Sequence, residues 1–235
     1  MKKIFTLLLV LCFTFGYAQE KKITINHTVE YLIPSKRKNT TDTISIGFDK
    51  NGKYLWTDSK SLAKDLGKSI FKGNNELLNS AELNIILDTE KMIVILFFKS
   101  GENEMYMNLE LSKIVPIPQN SENQEQFELI SENTKETINI ANRKAVIYDI
   151  YPSNEVNEVI SIAFDESIAI DNNKLFKKFF ELVFASEGSS SLFGMDFPNG
   201  LMMHVSNNGE VMMEANKVDT KTKTININYS FKISE

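Results

Sequence analysis

Alternation of apolar and polar residues, broken by tight-turn signals, constrains this chain more than any other feature. Ile23, Ile25, His27, Val29 and Tyr31 fall on one face of an extended segment, with Thr24, Asn26, Thr28 and Glu30 on the other. A strand half-buried on one side requires this spacing. Pro34 ends the run, and residues 35–39 read as a charged loop. Ile44, Ile46 and Phe48 alternate again, and Asp49-Lys50-Asn51-Gly52 supplies the positive-φ residues of a hairpin turn into 53–57. A second hairpin joins 83–87 to 92–98, and 99–103 turns into a third strand over 104–111, making a meander. In the C-terminal half, strands are expected over 144–151, 159–164, 201–206, 211–215 and 224–233, with Asn207-Asn208-Gly209 as a turn. The halves share a strands-then-helix layout, with no residue-level repeat apparent.

Two stretches carry helical spacing instead. Ser59 can cap a helix in which Leu62, Leu66 and Ile70 recur every four residues and Gly73 ends it. Asp171 or Asn172 can cap a second, whose apolar stripe holds Leu175, Phe176, Phe179, Phe180, Leu182, Val183 and Phe184, with Gly188 past its end. A helix so loaded must press on something apolar, either a sheet face or a ligand. Residues 116–126 are the most linker-like stretch. They read as a surface connection within one β-rich domain over 19–235, two domains being the alternative.

Residues 1–18 read as a signal peptide. Lys2 and Lys3 form a positive start, Ile4 to Phe15 an apolar run, and Gly16-Tyr17-Ala18 puts small residues at −3 and −1 of a cut after Ala18. The run is too short to span a membrane and meets Gln19-Glu20-Lys21-Lys22 at once. Cys12 does not make it a lipoprotein signal, because Leu11 before it is not small. The mature chain then works in the periplasm or outside the cell, with no transmembrane anchor. It also contains no cysteine, since the only one leaves with the leader. Losing two lysines takes 26 Lys+Arg to 24 against 31 Asp+Glu, a net charge of −7. That acidity argues against nucleic acid as a partner, which needs a basic footprint.

Catalytic signatures are sparse. His27 and His204 are the only histidines, far apart and without a cysteine ligand, so no metal and no cofactor is expected. His27, on the apolar face of its strand, reads as a core or rim histidine with a local partner. Ser61-Leu62-Ala63-Lys64 matches S-x-x-K, but there is no S-D-N, and Lys221-Thr222-Lys223 lacks the glycine of K-T-G. Ser189-Ser190-Ser191 with His204 is the other hydrolase pairing, and the serine run reads as a loop. The expectation is a protein that is not an enzyme. Two modification signals accompany these. Asp42-Thr43-Ile44 looks like an O-glycan acceptor of some exported bacterial proteins, and Asn26, Asn39 and Asn228 begin N-x-S/T sequons.

Methionine stands out more. Met195, Met202, Met203, Met212 and Met213 crowd together, and Met92, Met105 and Met107 lie on the meander. Flexible thioethers beside Phe176, Phe179, Phe180 and Phe184 would make a soft lining for a lipid-sized cavity, with Trp56, Met105, Met107, Met202 and Met212 completing it. An ordinary core filled with Met is the competing reading. The pairs at 202–203 and 212–213 put one Met on each face of their strands, so neither face is expected to be watery.

The order of elements also resembles a known group. The carrying segments are Phe48-Asp49-x-x-Gly52-x-Tyr54-x-Trp56, then Thr137-Ile138-Asn139-Ile140-x-x-Arg143-Lys144-Ala145-x-x-Tyr148, then Phe197-Pro198-x-Gly200-Leu201-Met202-Met203, with Met212-Met213-Glu214-Ala215 further on. Together they resemble the LolA-like periplasmic carriers, especially uncharacterised members from Gram-negative bacteria. The resemblance implies an α+β fold, mainly antiparallel β: a curved open sheet or half-barrel, with two or more helices covering its concave face. It also implies that this face holds lipid or lipoprotein acyl chains. The arginine that locks such carriers closed has no counterpart here, Arg143 lying in a β region. An apolar or amphipathic ligand is the expected cargo, and a non-enzymatic envelope protein-interaction module without a cavity is the alternative.

Overall fold

A computed structural model describes residues 20–35, 39–59, 82–101, 103–114, 129–154, 157–176 and 196–228. The strands are β1 (Glu20–Ile25), β2 (His27–Ser35), β3 (Thr40–Phe48), β4 (Tyr54–Thr57), β5 (Glu82–Asp88), β6 (Ile93–Ser100) and β7 (Asn103–Glu110). After the short helix α1 (Leu111–Ile114) come β8 (Leu129–Ile140), β9 (Arg143–Pro152), β10 (Ile160–Asp165), β11 (Leu201–Asn207), β12 (Glu210–Asp219) and β13 (Lys223–Asn228). Eleven of them form one sheet in the order β7-β6-β5-β4-β3-β2-β12-β11-β10-β9-β8, every pair antiparallel. Both halves of the chain therefore build a single sheet, joined where β2 meets β12. Residues 116–126 lie outside the described residues.

The alternating run of residues 23–31 is divided at Asn26, where the chain leaves one sheet for another. β1 pairs with β13 in a two-stranded ribbon, aligning Ile23 with Ile225 and Lys21 with Ile227. Ile23, Ile25 and Ile227 are fully buried and pack with Tyr54, Trp56, Ile86 and Ile95 of the main sheet. Three polar ties reinforce the seat. Lys21 Nζ lies 2.7 Å from Asp88 Oδ2, Lys223 Nζ sits 3.7 Å over the Trp56 ring, and the Tyr106 hydroxyl donates to the Asn226 carbonyl at 3.2 Å.

A repeat hidden in the sequence emerges at the ends of β3 and β10. Ser45-Ile46-Gly47-Phe48-Asp49 and Ser161-Ile162-Ala163-Phe164-Asp165 differ at one residue. Each ends in a buried Phe and a buried Asp, and each Asp carbonyl accepts the amide three residues on, from Gly52 and from Ile168. The carboxylates close these turns too: Asp49 accepts from the Asn51 and Lys53 amides, and Asp165 from the Ser167 amide and hydroxyl. The single difference has its origin in packing. A Cβ on Gly47 would stand 2.6 Å from Ile25 Cγ2 and 3.2 Å from the Trp56 ring, so the ribbon leaves room only for glycine. Gly47→Ala is thus expected to lift the ribbon. Trp56, the only tryptophan, should report this by a red-shifted emission with protection of β9 and β10 amides unchanged; an unmoved emission contradicts it.

The sheet curls strongly. Cα atoms of β8 and β12 come within 8 Å although three strands lie between them, whereas four strand spacings in a flat sheet are about 19 Å. Tyr31 shows which way it bends. Its buried hydroxyl passes over Ala215 of β12 and donates to the Met202 carbonyl on β11 at 2.6 Å, a reach across a whole strand that suits a concave face. The bulge in β11 beside Ala163 and Phe164 accompanies this bend.

The expected roof of two or more helices is corrected. Strands make up 69% of the described residues and helix 5%, the helical pieces being α1 and residues 172–176. The physical reason lies in the period-2 pattern that runs through both halves. Strands bury their apolar sides by curling and by the β1–β13 ribbon, which does for one face of β4–β6 what a helix was expected to do. Most of the two stretches with helical spacing, 59–73 and 171–188, lies outside the described residues.

Candidate functional site: an apolar sheet face opposite the ribbon

Antiparallel register lines up side chains of one face across neighbouring strands. On the face away from the ribbon, pairing aligns Val29, Ile46, Thr57, Ile85, Leu96 and Met107 in one row from β2 to β7. The next row runs Phe48, Leu55, Leu87, Val94 and Leu109, and ends at His27 opposite Phe48. Val29, Phe48, Ile85, Val94 and Leu96 are buried, whereas Ile46, Leu55, Leu87, Met107 and Leu109 keep part of their surface in water, Ile46 and Leu55 while packing on the larger core cluster. Each apolar side chain on this face that stays partly wet forgoes about 25 cal/mol for each Å² it does not bury.

The expected lining residues divide between places. Met105 and Met107 lie on this face, opposite Phe98 and Leu96, and are partly exposed. Trp56 lies on the other face, 7% exposed beneath the ribbon, and so belongs to a different cluster. Phe176 packs against the core, its ring centroid 5.7 Å from that of Phe197. Met202 is buried in the same core, whereas Met212 is 49% exposed. Met203 is fully buried and Met213 packs on the core, so the 202–203 pair is enclosed on both sides and the 212–213 pair is wet on one. Phe179, Phe180, Phe184 and Met195 lie outside the described residues.

His27 is only partly buried, but its Nδ1 is enclosed and has no hydrogen-bond partner among the described residues. Burial lowers the ring's pKa below its ordinary 6.5, and the positive charges of Arg143 and Lys50 lower it further. Arg143 itself gives Nη1 to Asp165 Oδ2 at 2.8 Å. Burial would raise the Asp165 carboxyl, yet the Ser167 and Arg143 hydrogen bonds outweigh that and hold it below the usual carboxylate range. Neither Arg143 nor Asp165 was legible as part of this end, because β8 and β9 reach it only through the curl.

His27 also makes stability depend on pH. The folded state favours the neutral ring, so the unfolded chain takes up its proton first as pH falls. This contribution to stability is full above the ordinary 6.5 and is lost as pH drops through the lower folded value. His27→Gln should flatten that limb in urea unfolding compared between pH 7.5 and 5, and an unchanged limb counts against the assignment.

The hydrolase pairings cannot be assembled from the described residues, which include none of Ser61, Lys64 or Ser189–Ser191. His204 instead places Nδ1 3.2 Å from Glu214 Oε2 on the adjacent strand. Among the described residues no group of three or more His, Cys, Asp or Glu could hold a metal ion, and no helix is long and apolar enough to cross a membrane. Thr43 is exposed on β3. In comparisons with known proteins, no family model matches the chain and no curated sequence matches it.

Proposed function

We propose that this is an exported, soluble protein of the periplasm or extracellular space that binds an apolar or amphipathic ligand on the curved face opposite the ribbon. One observation carries the reading: two register rows, apolar except at Thr57, cross β3 to β7 on that face, and Ile46, Leu55, Leu87, Met107 and Leu109 among them remain partly wet. Met105 and Met107 at its β7 end add adaptable thioethers. The LolA-like resemblance supplies the ligand class, a lipid or lipoprotein acyl chain. Native mass spectrometry of the protein purified from its own envelope should show co-purified acyl species. Dodecanoate should protect amides of β4–β7 from exchange, and Met107→Asp should abolish that protection.

The alternative, an envelope protein-interaction module without a ligand, is favoured by Ile130, Ile160, Val211 and Met212, which stand 37–49% exposed on the opposite half of the sheet. It predicts no acyl species and no dodecanoate protection, together with a partner crosslinked through Met212.

A further inference from the structure

Four aspartates are followed directly by Ser or Thr, at 42–43, 58–59, 88–89 and 219–220, and the fold separates them. Thr89 is 2% exposed and its Oγ1 donates to the Gly52 carbonyl at 2.7 Å, so nothing outside can reach it. Asp58-Ser59 and Asp219-Thr220 are each followed by a lysine, and Asp219 already accepts the Lys221 amide. Asp42-Thr43-Ile44 alone has an aliphatic residue in third place. Thr40, Thr41, Asp42 and Thr43 are all exposed.

These residues stand on an arm of the sheet. β2 and β3 pair from His27 opposite Phe48 out to Ser35 opposite Thr40. β12 accompanies β2 only as far as Leu32, and β4 accompanies β3 only from Ile46. Past those points, among the described residues, the hairpin has no further strand on either side. Ile44 packs on the larger core cluster and fixes the inner face of the arm, so alternation turns Thr43 to the outer one. The Thr43 hydroxyl has no hydrogen-bond partner among the described residues. An extended segment with an open edge can be laid against an enzyme as an added strand. Asp42 and Thr43 are then offered on its two sides. The asparagine sequons are placed differently. Asn26 Oδ1 is occupied by the Lys50 amide at 3.0 Å, whereas Asn39 is exposed near the tip of the same arm.

We infer that Thr43 is the acceptor of an O-linked glycan, with Asp42 and the arm's extended backbone as the features a glycosyltransferase recognises. The donor is a sugar held through its anomeric carbon on a lipid diphosphate. Thr43 Oγ1 attacks that carbon, the bond from the carbon to the phosphate oxygen breaks, and the lipid diphosphate leaves with the electron pair. The hydroxyl proton passes to a base of the transferase. A bulky, hydrophilic group at this place also covers an open strand edge that could otherwise pair with another chain. The inference goes beyond the ligand reading and shares with it only the export of the chain.

Intact mass spectrometry of the protein purified from its own envelope tests it, beside Thr43→Val, Asp42→Ala and Asn39→Gln. The unaltered protein should be heavier than residues 19–235 by a whole number of sugar residues. Mild alkali should remove that mass by β-elimination, and peptide fragmentation should place it on Thr43. Thr43→Val should lose all of it and Asp42→Ala most of it, while Asn39→Gln keeps it. Mapping on the unaltered protein decides the matter whether or not a variant folds. The bare mass of residues 19–235 overturns the site and leaves export standing. A mass that still includes residues 1–18 removes the export on which the site rests, and the site with it. Added mass that resists alkali and vanishes in Asn39→Gln also overturns it, by making the arm an N-linked acceptor.

Discussion

Phe164→Ala should destabilise the protein by about 3–5 kcal/mol, the usual loss when a buried ring is cut back to a methyl. Phe164 is fully buried in the larger core cluster, and its ring meets Tyr148 edge-on at 5.9 Å. Gly200 closes the space further, since even a Cβ there would come within 2.9 Å of Phe164 Cβ. Backbone packed this tightly relaxes poorly, so the cavity should persist. Phe48→Ala, at the equivalent position of the repeated pentapeptide and 1% exposed, should cost a similar amount. The check is the urea midpoint at constant m-value, with Ile130→Ala as an exposed control expected to stay within about 0.5 kcal/mol. A loss below about 1 kcal/mol for Phe164 would contradict the packing described.

Lys21→Met should cost about 3 kcal/mol, the lower end of the range for removing one partner of a buried ion pair. Asp88 is the reason. Its side chain is 1% exposed, and without Lys21 its remaining described donor is the Lys91 amide at 3.0 Å. Lys21 is itself 24% exposed, so some water can enter and temper the loss. Adding Asp88→Asn should recover a large part of it, since the charge that had lost its partner is then gone. Because Lys21 belongs to the ribbon, the single variant should also red-shift Trp56 emission. Purely additive losses in the double variant would mean that the two groups do not act as a pair.

The strands were legible where one side of each faces a core. β3 to β7 can be read from Ile44-x-Ile46-x-Phe48 and its successors, and the Asp49–Gly52 turn from its positive-φ glycine. β8 was not legible. Its centre, Glu132 to Thr137, is polar and bulged, with Lys135 at φ 63°, so no alternation survives to be read. The division at Asn26 was hidden for the opposite reason. Ile23, Ile25, Val29 and Tyr31 keep one period while serving two separate cores. The pentapeptide repeat was readable in principle, but Gly47 and Ala163 acquire meaning only once Ile25 is seen above one of them. At the candidate site, Met105 and Met107 were readable from alternation. Trp56 packs beneath the ribbon, which nothing in its sequence neighbours announces.

The pairing of first strand with last has a consequence in time. Ile23 and Ile225 are about 200 positions apart along the chain, so among the described strand pairs this contact carries the largest closure entropy and is expected to form late. Until residues 223–228 are available, the indole and its surrounding isoleucines have no cover. A polypeptide emerging amino end first through a narrow conduit would therefore stay unfinished on that flank, and pliable, until its tail came free.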